Sequence, residues 1–361
     1  MKGKRILYYD MLNIAACICV IALHQNGLVH SFSDSSAWKG ALVIEVVCYW
    51  AVPIFFMLTG ATLIDYRKKY NTKTFFKKRI LRTMIPLFFW DLIFLIWKSW
   101  TEQIDLNGRG IKDIISMFTN NEIQNVYWFF IPLFSIYLSI PVLSMIVEAT
   151  KEIKKTNKIF LYMIGIQFLL YSLLPCLFRM IGFRWNDGMQ LYVGSGYLIF
   201  VLLGYVLSHN EFPKNTRVVL WILGIAGAAF RYFYTLVTSI SRGEKDTLLF
   251  DYRYFPGVLL GVAVFVLFKY IPWDKFLADD RIKRIISIVS SCSLGVYMIH
   301  ILVMTYMQQI TGLSSNSLMW RIGFIPVVYG VRVCLKIKNC TKHMFLPPFY
   351  DKIKKKGCSL C

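Results

Sequence analysis

Residues 11–24 read Met-Leu-Asn-Ile-Ala-Ala-Cys-Ile-Cys-Val-Ile-Ala-Leu-His. The run is apolar except for Asn13 within it and His24 at its end. Polar side chains at bilayer depth are costly, so they face a protein interior or a water-filled cavity and are site candidates by default. Working outward, comparable apolar blocks recur along the whole chain, near residues 8–28, 41–64, 81–99, 127–147, 159–180, 190–208, 218–240, 253–271, 285–308 and 318–335. Blocks of roughly 17–25 residues suit a hydrocarbon layer of about 30 Å, because a helix rises 1.5 Å per residue. The expected fold is all-α: a polytopic membrane helical bundle of about ten transmembrane helices.

Composition and charge agree with that reading. The chain is 57% hydrophobic and carries a net charge of +21, with a mean hydropathy of +0.52. A basic nucleic-acid-binding domain would spread its lysines over short amphipathic elements. Here they gather in alternate loops. With the amino terminus placed in the cytoplasm, twenty-nine of the 41 Lys and Arg residues fall in cytoplasmic segments, nine in outer loops and three within spans. This is the positive-inside bias, and it puts both termini in the cytoplasm of a multi-pass cell (cytoplasmic) membrane protein. The charge then attracts anionic membrane lipids, and no nucleic-acid partner is expected.

Residues 1–340 read as one membrane domain and 341–361 as a basic cytoplasmic tail. The first span, long and without a small-residue cleavage site, reads as a retained anchor. Six of the nine cysteines lie in spans and three in the tail, so no extracellular disulfide framework is expected. In the 98–125 loop, residues 111–118 suit a short interfacial helix. The tail ends Cys358-Ser-Leu-Cys361, in which Ser359 is not aliphatic and a terminal Cys is atypical of a prenylation box. The tenth block, interrupted by Arg321, Pro326, Gly330 and Arg332, is the least regular span.

Depth can be counted from the basic flanks. His24 lies 19 residues beyond Arg5, about 28 Å along the helix. Asn13 is 11 residues before it, close to three full turns, so the two share a face. His300, counted from Arg284, rises about 24 Å, and Arg231, counted from Arg217, about 21 Å. Glu45 lies just below the outer end of the second block, Asp91 within the third, and Tyr297 one turn from His300. Two imidazoles, a carboxylate and a guanidinium are thus expected to converge in the outer half. A carboxylate there would orient His24 and raise its basicity, as a general base requires. At the basic end, Arg79 and Arg82 are three residues apart, and paired guanidiniums suit phosphate better than lysines do.

Six segments in order resemble the acyltransferase-3 family of multi-pass bacterial membrane O-acyltransferases, over roughly residues 5–308. Tyr9-Asp10-Met-Leu-Asn13 through His24 resembles the first helix, where a basic residue precedes an essential histidine by 11 positions. Pro53-Ile-Phe55-Phe56-Met-Leu-Thr59-Gly60 is similar to Pro-x-Phe-Phe-x-x-Ser-Gly, and Arg79-Ile-Leu-Arg82 to Arg-x-x-Arg. Trp128-Phe129 with Tyr137 and Pro141, Gly204-Tyr205, and Gly295-Val-Tyr297-Met-Ile-His300 resemble later motifs. The resemblance implies an O-acetyltransferase that moves an acyl group, usually acetyl, from cytoplasmic acetyl-CoA to a hydroxyl of an envelope or exported glycan or a lipid-linked sugar. His24 would be base or acyl carrier, with Tyr297, His300, Glu45 and Arg231 around it. Arg79, Arg82 and Asn13 would hold the donor, and no metal is expected. Asn13 departs from the pattern by carrying no charge. The alternatives are a polysaccharide or small-solute transporter, against which no internal repeat or paired broken helices are visible, and a non-catalytic binding or sensor bundle.

Overall fold

The structure, a computed structural model, describes residues 5–330 apart from 187, 190, 192, 193 and 195. Among the described residues every regular element is helical. The opening run forms α1 (Leu7–Gln25). The second block becomes α2 (Ser36–Cys48) and α3 (Ala51–Leu63), part of one 33-residue apolar span. Ser35 starts α2 by accepting the Trp38 N–H with its side-chain oxygen, satisfying a donor that the first helical turn leaves free. α4 (Thr72–Arg79) is capped in the same way by Asn71. It runs through a π-turn, Ile80–Met84, into α5 (Ile85–Trp100), and Pro86, which has no N–H to give the helical ladder, stands just after that turn.

The short helix expected in the 98–125 loop is α6 (Ile111–Thr119). Next come α7 (Phe130–Thr150), α8 (Ile153–Gln167) and α9 (Leu174–Met180). They are followed by α10 (Leu198–His209), α11 (Lys214–Arg242) and α12 (Phe255–Tyr270). The last are the short α13 (Trp273–Phe276), α14 (Asp280–Ser290) and α15 (Ser293–Thr311). Six spans are long and apolar enough to cross a membrane, and a seventh if α14 and α15 count as one path bent by 58°. The blocks near 190–208 and 253–271 yield the shorter apolar helices α10 and α12. α10 begins two residues after Gly196, whose positive φ of 61° lies outside helical backbone. The tenth block opens as a π-turn, Met319–Gly323. Its end beyond 330, with Arg332, and the tail 341–361 lie outside the described residues.

Small residues decide how closely the helices pack, as is usual where lipid supplies no hydrophobic drive between them. A Cβ on Gly60 of α3 would lie 1.9 Å from the Val201 carbonyl oxygen of α10, and one on Gly204 would lie 1.9 Å from that of Met57. Gly224 of α11 likewise meets the Ala263 Cβ of α12. Leu12, Ala16 and Val20 of α1 are buried in the core that these helices share, while Ile21 packs with Val296 and Met304 on another side. Ile222, Ile225, Phe233 and Val237 of α11 and Phe89 and Ile96 of α5 point outward, as a lipid-facing surface requires.

The α14–α15 break has a local cause. Ser291 Oγ donates to the Ile288 carbonyl at 2.6 Å, and Cys292 Sγ to the same oxygen at 3.2 Å. Short polar side chains that bond the preceding turn compete with the helix ladder and bend it.

Candidate active site

α1 and α15 carry their histidines to one point. The His24 and His300 ring centroids are 4.9 Å apart. His300 is fully buried, and its Nδ1 lies 2.6 Å from the Tyr297 carbonyl. A carbonyl oxygen only accepts, so Nδ1 carries the proton and Nε2 presents a lone pair. That Nε2 is buried without a partner. His24 has no hydrogen bond among the described residues, so both its ring nitrogens are available. The expected convergence of two imidazoles is therefore in place, and the tautomer of one of them is set by the backbone.

The expected carboxylate beside His24 is not there. α2 packs against α11 and turns Glu45 toward Arg231, whose Nη2 lies 3.9 Å from Glu45 Oε1. Both side chains are buried, at 6% and 2% exposure. The Arg231 guanidinium also lies over the Tyr49 ring, 3.3 Å from its centroid, and near Phe250 at 4.8 Å. Tyr297 touches His300, with ring centroids 5.5 Å apart. Its hydroxyl donates to the Val126 carbonyl, so that proton is already used. Asp91 is buried on α5 within electrostatic reach of Tyr127.

Toward the end of the bundle that carries Arg5, a cavity of about 300 Å³ is lined by Tyr9, Asp10, Asn13, Thr59, Arg79 and Tyr137. Asp10 is held there by Arg5 in a two-pronged ion pair at 2.7 Å. Asn13 and Arg79 thus line one space. Arg79 Nε is buried without a partner, and its guanidinium lies 5.7 Å from the Tyr137 ring centroid. Arg82 does not accompany it. The π-turn after Arg79 rotates the chain so that Arg82 faces outward and is exposed.

Asn13 has a further task that its spacing does not reveal. Its Nδ2 donates to the Ser290 carbonyl at 2.8 Å, to Ser290 Oγ at 3.0 Å and to Ser293 Oγ at 3.1 Å. It pins α1 to both sides of the α14–α15 break. Replacing Asn13 by alanine is expected to cost about 1–2 kcal/mol, the worth of such bonds to partly buried groups. A lower melting midpoint of the purified protein would report it, and an unchanged midpoint would show that the break holds without α1.

A train of rings joins the cavity to the histidines. Phe55 and Phe129, both in its wall, lie 5.9 Å apart, Phe129 lies 6.0 Å from Tyr297, and Tyr297 abuts His300. At the opposite end, a basin of about 790 Å³ opens between Glu45, Tyr49, Trp128 and the 243–254 loop. Lys245 in that loop bonds His30 at 2.9 Å, and burial pushes its ammonium down to about 8. Burial and the same ammonium lower His30. The basin's tyrosines were not singled out from sequence, because an aromatic in an apolar run looks like any other core residue.

The sequence profile of the acyltransferase domain family, acyltransferase-3, matches residues 6–335. No curated protein and no solved structure matches the chain. The profile covers nearly the whole chain, and the histidines, the Asn13–Arg79 cavity and the apolar spans all lie within it. This chain is a multi-pass membrane protein and belongs to the acyltransferase-3 family.

Proposed function

We propose that the protein is an O-acetyltransferase of the cytoplasmic membrane. It takes an acetyl group from acetyl-CoA on the cytoplasmic side and transfers it to a hydroxyl of an envelope glycan or lipid-linked sugar on the other. The clustering of Lys and Arg supports placing the Arg5–Arg79 end in the cytoplasm. The observation that carries the reading is the His24–His300 pair. His300 Nε2 offers a lone pair to a His24 N–H, leaving the other His24 nitrogen basic and aimed at the acceptor. His300 thereby takes the orienting part that triads give to a carboxylate. The 4.9 Å ring separation closes to a hydrogen bond with a small rotation, as catalytic contacts commonly do once substrate is bound.

His24 takes the proton of the acceptor hydroxyl as its oxygen attacks the thioester carbonyl carbon. A C–O bond forms, the C–S bond breaks, and the imidazolium returns the proton to the departing thiolate. The products are the acetyl ester and free CoA. Arg79 binds donor phosphate at the mouth of the smaller cavity, where a guanidinium gives bidentate, charge-assisted bonds. The flexible pantetheine arm follows the ring train inward.

The test is transfer from labelled acetyl-CoA to envelope glycan by the purified protein in vesicles; a protein that transfers no label overturns the reading. Arg79→Ala is expected to raise KM for acetyl-CoA about tenfold, the loss of a hydrogen bond to a charged group, with a smaller change in kcat. Arg82→Ala, on the exposed face, is expected to change it less. Equal effects would mean that donor phosphate binds outside the cavity.

A further inference from the structure

A groove of about 800 Å³ opens at the Arg5 end of the bundle, between the start of α1, the end of α12 and the short helices α13 and α14. The proposed transfer leaves it unused. α14 shows how this end meets the membrane. Its Ser287 and Ser290 turn toward α1, where the Ser287 carbonyl accepts from Arg5 at 3.1 Å and the Ser290 carbonyl from Asn13 at 2.8 Å. At about 100° per residue, Ile282 and Ile285 fall on the other side of the helix, and both are exposed. Arg281 and Arg284, exposed as well, border that apolar side. An apolar face edged by basic residues suits a helix at the headgroup boundary, with the isoleucines toward the acyl chains. α14 bends away from α15 by 58°, so it does not continue the span.

Charge is ordered along the same helix. Asp279 and Asp280 stand at its start, where Asp279 accepts the Arg281 N–H and both complement the helix dipole. Arg281, Lys283 and Arg284 follow, closer to the buried Ser290. Inside the groove, Arg5 is matched by Asp10 at 2.7 Å, Lys269 by Glu211 at 3.1 Å and Lys283 by Asp274 at 2.9 Å. Lys275 and Arg284 also line it, and among the described residues neither side chain has an ion pair or a hydrogen bond. Of the lining acids only Asp280 is outside these pairs, one turn from both Lys283 and Arg284. Five lining cations therefore face four acids, Glu211 included, and exposed Arg281 adds to the excess. The remaining lining includes Ile6, Ile271, Pro272 and Trp273, and Ile6 is exposed. A soluble anion gains nothing from such a wall. An amphiphile lays its chain there and brings its phosphate to the cations.

We propose that the groove beside α13 and α14 binds an anionic phospholipid of the cytoplasmic leaflet, its phosphate held between Lys275 and Arg284 and its acyl chain along Ile6, Ile271 and Trp273. The site stands independently of the transferase reading. Asp10 lines both this groove and the Asn13–Arg79 cavity, so the acetyl donor is included among the probes.

Native mass spectrometry of the full-length protein in a neutral detergent tests it, by titration with phosphatidylglycerol or with phosphatidylcholine of the same chains. The first phosphatidylglycerol is expected to bind about tenfold tighter than the first phosphatidylcholine, within the reach of two basic side chains beside an anionic headgroup. Lys275→Gln combined with Arg284→Gln is expected to abolish that preference. Lys154→Gln combined with Lys158→Gln removes the same charge from exposed positions on α8 and is expected to keep it. Unchanged melting midpoints show that both double variants are folded. Neither glycerol 3-phosphate, a headgroup without chains, nor acetyl-CoA is expected to displace the lipid. The site is overturned if the two lipids bind alike, or if the α8 variant loses the preference equally, which would mean diffuse surface charge. Displacement by glycerol 3-phosphate would reveal a soluble-phosphate site instead, and displacement by acetyl-CoA would give the groove to the donor.

Discussion

Substituting alanine for His24 is expected to reduce acetyl transfer by about three powers of ten, the middle of the range for a positioned general base. The protein should remain folded, because His24 makes no hydrogen bond among the described residues and lies at the end of its helix. His300→Ala is expected to cost less, about 10- to 100-fold, since its ring acts by orienting another group. The double variant should then be no slower than His24→Ala alone. Residues that act as one unit lose their effects together rather than multiplicatively. Single-turnover rates with labelled acetyl-CoA in vesicles measure all three. Losses that multiply would show that the two imidazoles act on the reaction independently, and a fully active His24→Ala protein would remove the mechanism altogether.

Gly204→Ala should produce the largest loss of stability. The new methyl group would fall 1.9 Å from the Met57 carbonyl oxygen, and its nearest atoms are backbone, which cannot rotate aside. α3 and α10 would have to separate, at a cost of about 3 kcal/mol, the high end for overpacking a tight interface. Gly60→Ala, which meets the Val201 carbonyl from the other helix, should behave alike. Gly40 in α2 has nothing within 4 Å of an added Cβ. Gly40→Ala should therefore be neutral or stabilise by about 0.5 kcal/mol through the helix preference of alanine. Melting midpoints in one detergent report all three. Gly204→Ala melting with Gly40→Ala would mean that the two helices do not approach as closely as described. Because Phe55, Phe56 and Thr59 precede Gly60 on α3 and line or border the Asn13–Arg79 cavity, Gly60→Ala should also impair donor binding.

How much could be read in advance depended on the kind of interaction. That the chain is helical and apolar could be read because burial in hydrocarbon acts on every residue of a run. The expected count of about ten spans, in contrast, compares with six, or seven with the bent α14–α15 path, and two of the ten runs form the shorter helices α10 and α12. The shared depth of His24 and His300 could be read because a helix rises uniformly, so distance along the chain becomes distance across the membrane. Which way a side chain faces is a different matter. Arg79 and Arg82 look like neighbours in an α-helix, but a π-turn between them sends one inward and the other out. Glu45 was a reasonable partner for His24 by depth, yet α2 packs on α11 and gives that carboxylate to Arg231. Asn13 reads as a donor ligand from its spacing, and its amide also ties α1 to Ser290 and Ser293 across a break that Ser291 and Cys292 create.

By itself the sequence determined the class of molecule, its helical make-up and the common level of His24 and His300. These follow from hydrophobicity and helical rise, quantities that add along a chain without regard to what lies beside it. Only the tertiary structure decided which of those residues touch. It brought the His24 and His300 rings to 4.9 Å, packed the Arg231 guanidinium over the Tyr49 ring without a hydrogen bond, and joined Asn13 to the broken helix. Contacts depend on the rotation of each helix about its axis, and that rotation is set by where small residues such as Gly60 and Gly204 let two backbones meet.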